Sequence, residues 1–110
     1  MSVTTTLICD TAIDAGSVCD VLSEVLGVNS VVSNRQDDTA TVSMFNEADP
    51  GHPHQIAVIN TADGSMLRTD AGTAGLNALR TVANRFGGTL TNSGWSENQT
   101  ESFSASNFSL

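Results

Sequence analysis

A chain of 110 residues with twelve acids, four arginines and no lysine carries a net charge of −8. That length fits one domain with one modest core. The charge excludes nonspecific phosphate-backbone binding, which needs a basic stripe to displace counterions, and argues against a polybasic role at a membrane surface.

Charged residues make up 15% of the chain, while Ser, Thr and Asn occupy 35 positions, so the surface is built more from hydroxyls and amides than from ions. Residues 1–10 have no basic region, and their longest apolar run is Leu7-Ile8-Cys9, which is neither a secretory signal nor a membrane span. Two cysteines, Cys9 and Cys19, are too few for a disulfide framework and lack C-x-x-C spacing. They are expected as small apolar residues in a reducing compartment, a cytoplasmic one (the host cytoplasm for a viral protein).

Residues 3–9 alternate with period two and carry β-branched side chains, which predicts a half-buried first strand. Thr11-Ala12-Ile13-Asp14 has capping-box form. From there Ala15, Val18, Cys19, Leu22, Val25 and Leu26 recur at three- and four-residue steps, one apolar stripe on a helix that Gly27 ends. Residues 28–35 and 39–46 read as two strands joined at Gln36-Asp37-Asp38. Both prolines fall in the loop 47–53, which must leave regular structure. A second hairpin, 55–60 and 65–69, turns at Thr61-Ala62-Asp63-Gly64, where Asp-Gly supplies positive φ. Asp70 can cap a second helix over 73–86, with Leu76, Leu79, Val82, Ala83 and Phe86 on its apolar stripe and Gly87-Gly88 as its stop. A last strand covers 89–95, with Trp95 at the core edge.

This order predicts an α+β two-layer sandwich: a mainly antiparallel sheet of five to six strands with two helices on one face. In element order alone it resembles a ferredoxin-like unit with an extra hairpin, a resemblance of fold that carries no function. Residues 1–95 form the single domain, and residues 96–110 form a polar tail in which Phe103, Phe108 and Leu110 are the apolar interruptions.

Few segments suggest chemistry. Glu47-Ala48-Asp49-Pro50-Gly51-His52-Pro53-His54 offers two histidines at i, i+2 near carboxylates, a weak divalent-metal candidate against the plainer reading of a polar connecting loop. Gly72-Thr73-Ala74-Gly75 lacks the P-loop lysine, and no G-x-S-x-G elbow accompanies the many serines. No catalytic residue, metal or cofactor is assigned, and the chain reads as a non-enzyme.

The charge layout is more informative. Residues 1–50 carry net −7 and residues 51–110 net −1. Asp14, Asp20 and Glu24 form a ridge on the first helix that helix stability does not require, since Asp20 and Glu24 repel at i, i+4 and Glu24 lies near the negative end of the dipole. With Asp37 and Asp38 they make the expected contact surface for a protein with a basic face. One form of this is a phage- or virus-encoded inhibitor that presents acids where phosphates would sit. The competing readings are a solvated face that keeps an ion-poor protein soluble, a homo-oligomeric or virion-associated subunit, and a metal- or small-ligand-binding domain using the loop at His52 and His54. In the oligomeric reading the open sheet face self-associates through Ile8, Phe45 and Ile59, with Met66 turned inward and Leu67 outward. Arg80 and Arg85 on the second helix lie opposite the acidic ridge, as its internal match or as a second contact surface.

Overall fold

Apolar side chains at every second strand position give the sheet one dry face and one wet face, and both helices draw on the same dry core. The computed structural model describes residues 4–45, 51, 53–93 and 99–103. The elements are β1 (Thr4–Cys9), α1 (Ala15–Val21) continued by a π-helical turn (Leu22–Leu26), β2 (Ser30–Gln36), β3 (Thr39–Met44), β4 (His54–Thr61), β5 (Gly64–Thr69), α2 (Gly72–Phe86), β6 (Gly88–Ser93) and β7 (Gln99–Phe103). One seven-stranded sheet has the order β2-β3-β4-β5-β1-β6-β7, and every pairing in it is antiparallel. α1 packs on β2 and β3, while α2 packs on β1, β4, β5 and β6 and touches α1.

The α+β class and the antiparallel sheet agree with the sequence, but the strand count does not. Seven strands form instead of five or six, because residues 99–103 of the expected tail pair with β6. Two anchors order them. Phe103 packs against the core, and Glu101 accepts two hydrogen bonds from the Arg80 guanidinium, at 3.3 and 2.9 Å. Composition reads such a segment as polar, whereas one ring and one bidentate pair suffice to make it a strand. Trp95, His52, Glu47, Asp49, Phe108 and Leu110 lie outside the described residues.

Three local expectations change. Asp14, rather than Thr11, caps α1, accepting from the Gly16 amide at 2.9 Å. The apolar stripe of that helix ends at Leu22: the π-helical turn rotates Val25 and Leu26 off the core, leaving them 58% and 41% exposed. Asp70 does not cap α2, whose N-cap is Ala71 with no side-chain bond. It accepts instead from the Thr4 hydroxyl at 2.7 Å.

The wet face also differs by one register step on β5. Leu67 pairs with Leu7 and Val58, both buried on the dry face, so it is buried with them and Met66 turns outward. Cross-strand partners share a face, which fixes the choice.

Glycine is required where β4 turns into β5. Gly64 has φ +150°, and a β-carbon there would run into the Cys9 carbonyl of neighbouring β1. Gly64→Ala is therefore expected to destabilise the fold by about 2–4 kcal/mol, from backbone strain added to steric displacement. Urea unfolding at unchanged m-value checks it.

Candidate functional site

The strand turns gather acids that are far apart in sequence. The β2–β3 turn holds Asp37 and Asp38, and the Asp38 carbonyl accepts from the Asn60 amide at 2.7 Å. Asn60 pairs with Ser65, and Ser65 with Cys9. That brings the β4–β5 turn, with Asp63, beside Asp10 at the end of β1. The start of α1 is tied to the same place, because the Ser65 hydroxyl accepts from the Ile13 amide and donates to the Asn60 side-chain carbonyl, both at 2.6 Å. Asp10, Asp14, Asp37, Asp38 and Asp63 thus share one end of the sheet, all exposed.

One cation tempers this end. Arg35 Nη1 lies 3.5 Å from Asp14 Oδ1, both side chains largely in solvent, an ion pair that contributes little to stability. A small depression of about 120 Å³ between them is lined by Asp14, Arg35, Asp37, Asp38 and Asn60. Asp10, Asp37, Asp38 and Asp63 have no ion-pair partner among the described residues.

The expected helix ridge divides accordingly. Asp14 joins the acidic end while holding the α1 cap. Glu24, ten residues further on, pairs with Arg85 of α2 at 3.3 Å, and Asp20 stays exposed between them without an ion pair among the described residues. Asp14, Asp37 and Asp38 are therefore brought together, and Asp20 and Glu24 are not. Asp10 and Asp63 were missed, since their meeting depends on β1 lying beside β5, which local spacing does not encode.

Of the sheet-face residues, Ile8 and Ile59 stand on either side of Met66 in one cross-strand row. Phe45 does not join them. It follows β3, six residues from the Thr39 that pairs with Ile59, a separation of about 20 Å along the strand. It lines a cleft of about 610 Å³ at the opposite end of the molecule, with Leu26, Val28, Met44, His54, Ala74 and Asn77. His54 thus faces a mixed apolar and amide surface, and no group of three or more metal-ligating side chains occurs among the described residues.

Both cysteines are free. Cys9 donates its thiol proton to the Gly87 carbonyl at 3.3 Å. Burial, with the nearby Asp10 carboxylate adding to it, pushes its pKa from 9.0 up to about 11. A thiol so held is protonated at neutral pH and is a poor nucleophile.

Comparison with protein-family models, with curated proteins and with solved structures finds no match to this chain.

Two outcomes follow from this geometry. Ser65→Ala should cost about 1–3 kcal/mol, because the buried Ile13 amide loses its acceptor, as measured by denaturant unfolding. The raised Cys9 pKa means that the folded state holds the thiol proton more tightly than the unfolded chain. Its stabilising contribution is complete below pH 9 and is lost as pH rises toward about 11. Cys9→Ala should flatten the stability profile across that window, as read from unfolding curves at stepped pH.

Proposed function

We propose that this chain is a non-enzymatic protein-interaction domain whose acidic sheet end engages a basic surface on another protein. The observation that carries the reading is the convergence of five exposed carboxylates, from three strand-end segments and a helix cap, with Arg35 the one cation paired there among the described residues. Such an end steers a cationic partner and orients it as it docks. Its natural form is a compact inhibitor, phage- or virus-encoded, that occupies the phosphate-binding surface of a nucleic-acid-binding protein in the cytoplasm. The frame of this reading is the two-layer sandwich with a ferredoxin-like order, extended by the β2–β3 hairpin and by β7. The placing of β1 between β5 and β6, the two strands that α2 connects, supports it. No helix among the described residues is long and apolar enough to cross a membrane.

A second reading, small-ligand binding, draws on the cleft at the other end. Its volume is within the range of small-molecule sites, and His54, Asn29 and Asn77 offer neutral hydrogen-bonding groups there.

The test uses an octa-arginine peptide as the basic probe, titrated at low and moderate salt and followed by backbone amide shifts. The expected result is saturable, salt-sensitive binding with shifts centred on Asp10, Asp37, Asp38 and Asp63. Neutralising Asp37, Asp38 and Asp63 to asparagine should weaken it about tenfold, while Asp20→Asn changes it less than about twofold. Shifts spread evenly over the molecule, or equal losses in both variants, would overturn the assignment.

A further inference from the structure

We propose that the open edge of β2 takes an extended segment of the basic partner as an added strand, its backbone pairing with Ser30 and Val32 and its cationic end meeting Asp37 and Asp38. This rests on the acidic end being a contact surface, and adds how the partner is held there.

β2 ends the sheet, with β3 on one side and no described strand on the other. The Phe45 amide donates to the Asn29 carbonyl at 2.9 Å. Asn29 and Phe45 continue the register in which Val31 faces Ser43 and Ser33 faces Thr41. In an antiparallel pair, residues that bond across the ladder alternate with residues that turn the other way. Ser30 and Val32 therefore direct their N–H and C=O groups away from β3, toward the open edge. A strand added there uses four backbone groups and displaces no bond of the sheet.

The edge is guarded at one end only. Between Ser33 and Gln36 the register shifts by one residue, and Asn34 stands at φ +51°. A bulge of this kind ends regular pairing and shields an edge. Ser30 to Ser33 has no such guard. It holds two adjacent valines and neither a charge nor a proline, and Val31 is 47% exposed.

Charge selects the occupant. Asp37 and Asp38 follow β2 directly, ~13 Å along the strand from Val32 once the bulge is allowed for. Neither has an ion-pair partner among the described residues. Asp20 is exposed on α1, the helix packed on β2 and β3. A second copy would bring net −8 to the same edge, so repulsion opposes pairing of β2 with itself, whereas a cationic segment is attracted. The other edge strand, β7, has one acid, Glu101, and Arg80 already holds it. Antiparallel pairing is the stronger arrangement, so the end of the segment that reaches Asp37 and Asp38 is its amino-terminal end.

The probe is a peptide of three arginines followed by Val-Thr-Val-Thr-Val, added to the full chain at low and moderate salt. Amide hydrogen exchange and titration follow it. The Ser30 and Val32 amides are expected to become protected on binding. N-methylation of the two threonines, which stand opposite Ser30 and Val32, removes hydrogen bonds but no charge and should weaken binding about tenfold. Val32→Pro should act in the same direction from the protein side, since the N–H it removes bonds nothing in the sheet. Asp37→Asn with Asp38→Asn should weaken binding about fivefold and flatten its salt dependence, with the protection pattern kept. Binding that leaves both amides exchanging freely would overturn the proposal, as would equal affinity for the N-methylated peptide or no binding at all. If octa-arginine still shifts the acidic end in that case, the contact surface stands without strand addition. Protection indifferent to salt and to the aspartate variant would keep strand addition and overturn the part given to Asp37 and Asp38. Protection of the same amides in the peptide-free chain at millimolar concentration would put a second copy on the edge and overturn the choice of a basic segment.

Discussion

A buried hydroxyl holds the acidic end of this molecule together. Ser65 Oγ sits at the start of β5, takes the Ile13 amide that leads into α1, and gives its own proton to Asn60 on β4. The entry of the first helix is thereby fixed to the β4–β5 hairpin. Without that bond a buried amide would have no acceptor, and unmet buried donors cost more than most surface contacts contribute. The position of Asp14 over the β2–β3 turn, and so its meeting with Arg35, follows from it. The same hairpin sets Asp63 beside Asp10. One polar knot thus decides where the carboxylates go, although it carries none itself.

The distribution of charge across the fold has a consistent logic. Three of the four arginines are used within the chain, Arg35 on Asp14, Arg80 on Glu101 and Arg85 on Glu24. Each joins elements that are distant in sequence: α1 to β2, α2 to β7, and α2 to the π-helical turn. They are partly exposed pairs, so their part is to select geometry more than to add stability. Asp10, Asp37, Asp38 and Asp63 crowd one end of the sheet, and the described wet face is left mainly to hydroxyls, a few aliphatic groups and Arg68. Ends and face are therefore chemically different surfaces. The Arg80–Glu101 pair has a further effect, since it secures β7 and gives β6 a neighbour on its outer side. β6 would otherwise be the edge strand, with its backbone groups open to another chain.

The dry side is assembled more simply. Leu7, Val42, Ile56, Val58 and Leu67 rise from adjacent strands, while Val18, Leu22, Leu79 and Val82 descend from the helices into one cluster. Gly75 lets α2 come close to β5, where a β-carbon would press within 2.5 Å of the Thr69 side chain. Close approach of this kind makes glycine in a helix worthwhile despite its poor propensity.

What the sequence alone determined is what depends on neighbours along the chain. Period-two alternation set β1 and β3, the Asp63-Gly64 turn set the β4–β5 hairpin, the three- and four-residue steps set both helices, and Gly27 ended the first of them. These are short-range effects of side-chain direction and backbone sterics, so they can be read without a fold. The tertiary structure alone decided the rest: β7, the outward turn of Met66, the exposure of Val25 and Leu26, and the five-carboxylate end. A ring finding a core, a strand's facing set by its pairing partners, and acids meeting across turns all depend on contacts between distant residues. The sequence held the acids, but only strand pairing chose which of them would stand together.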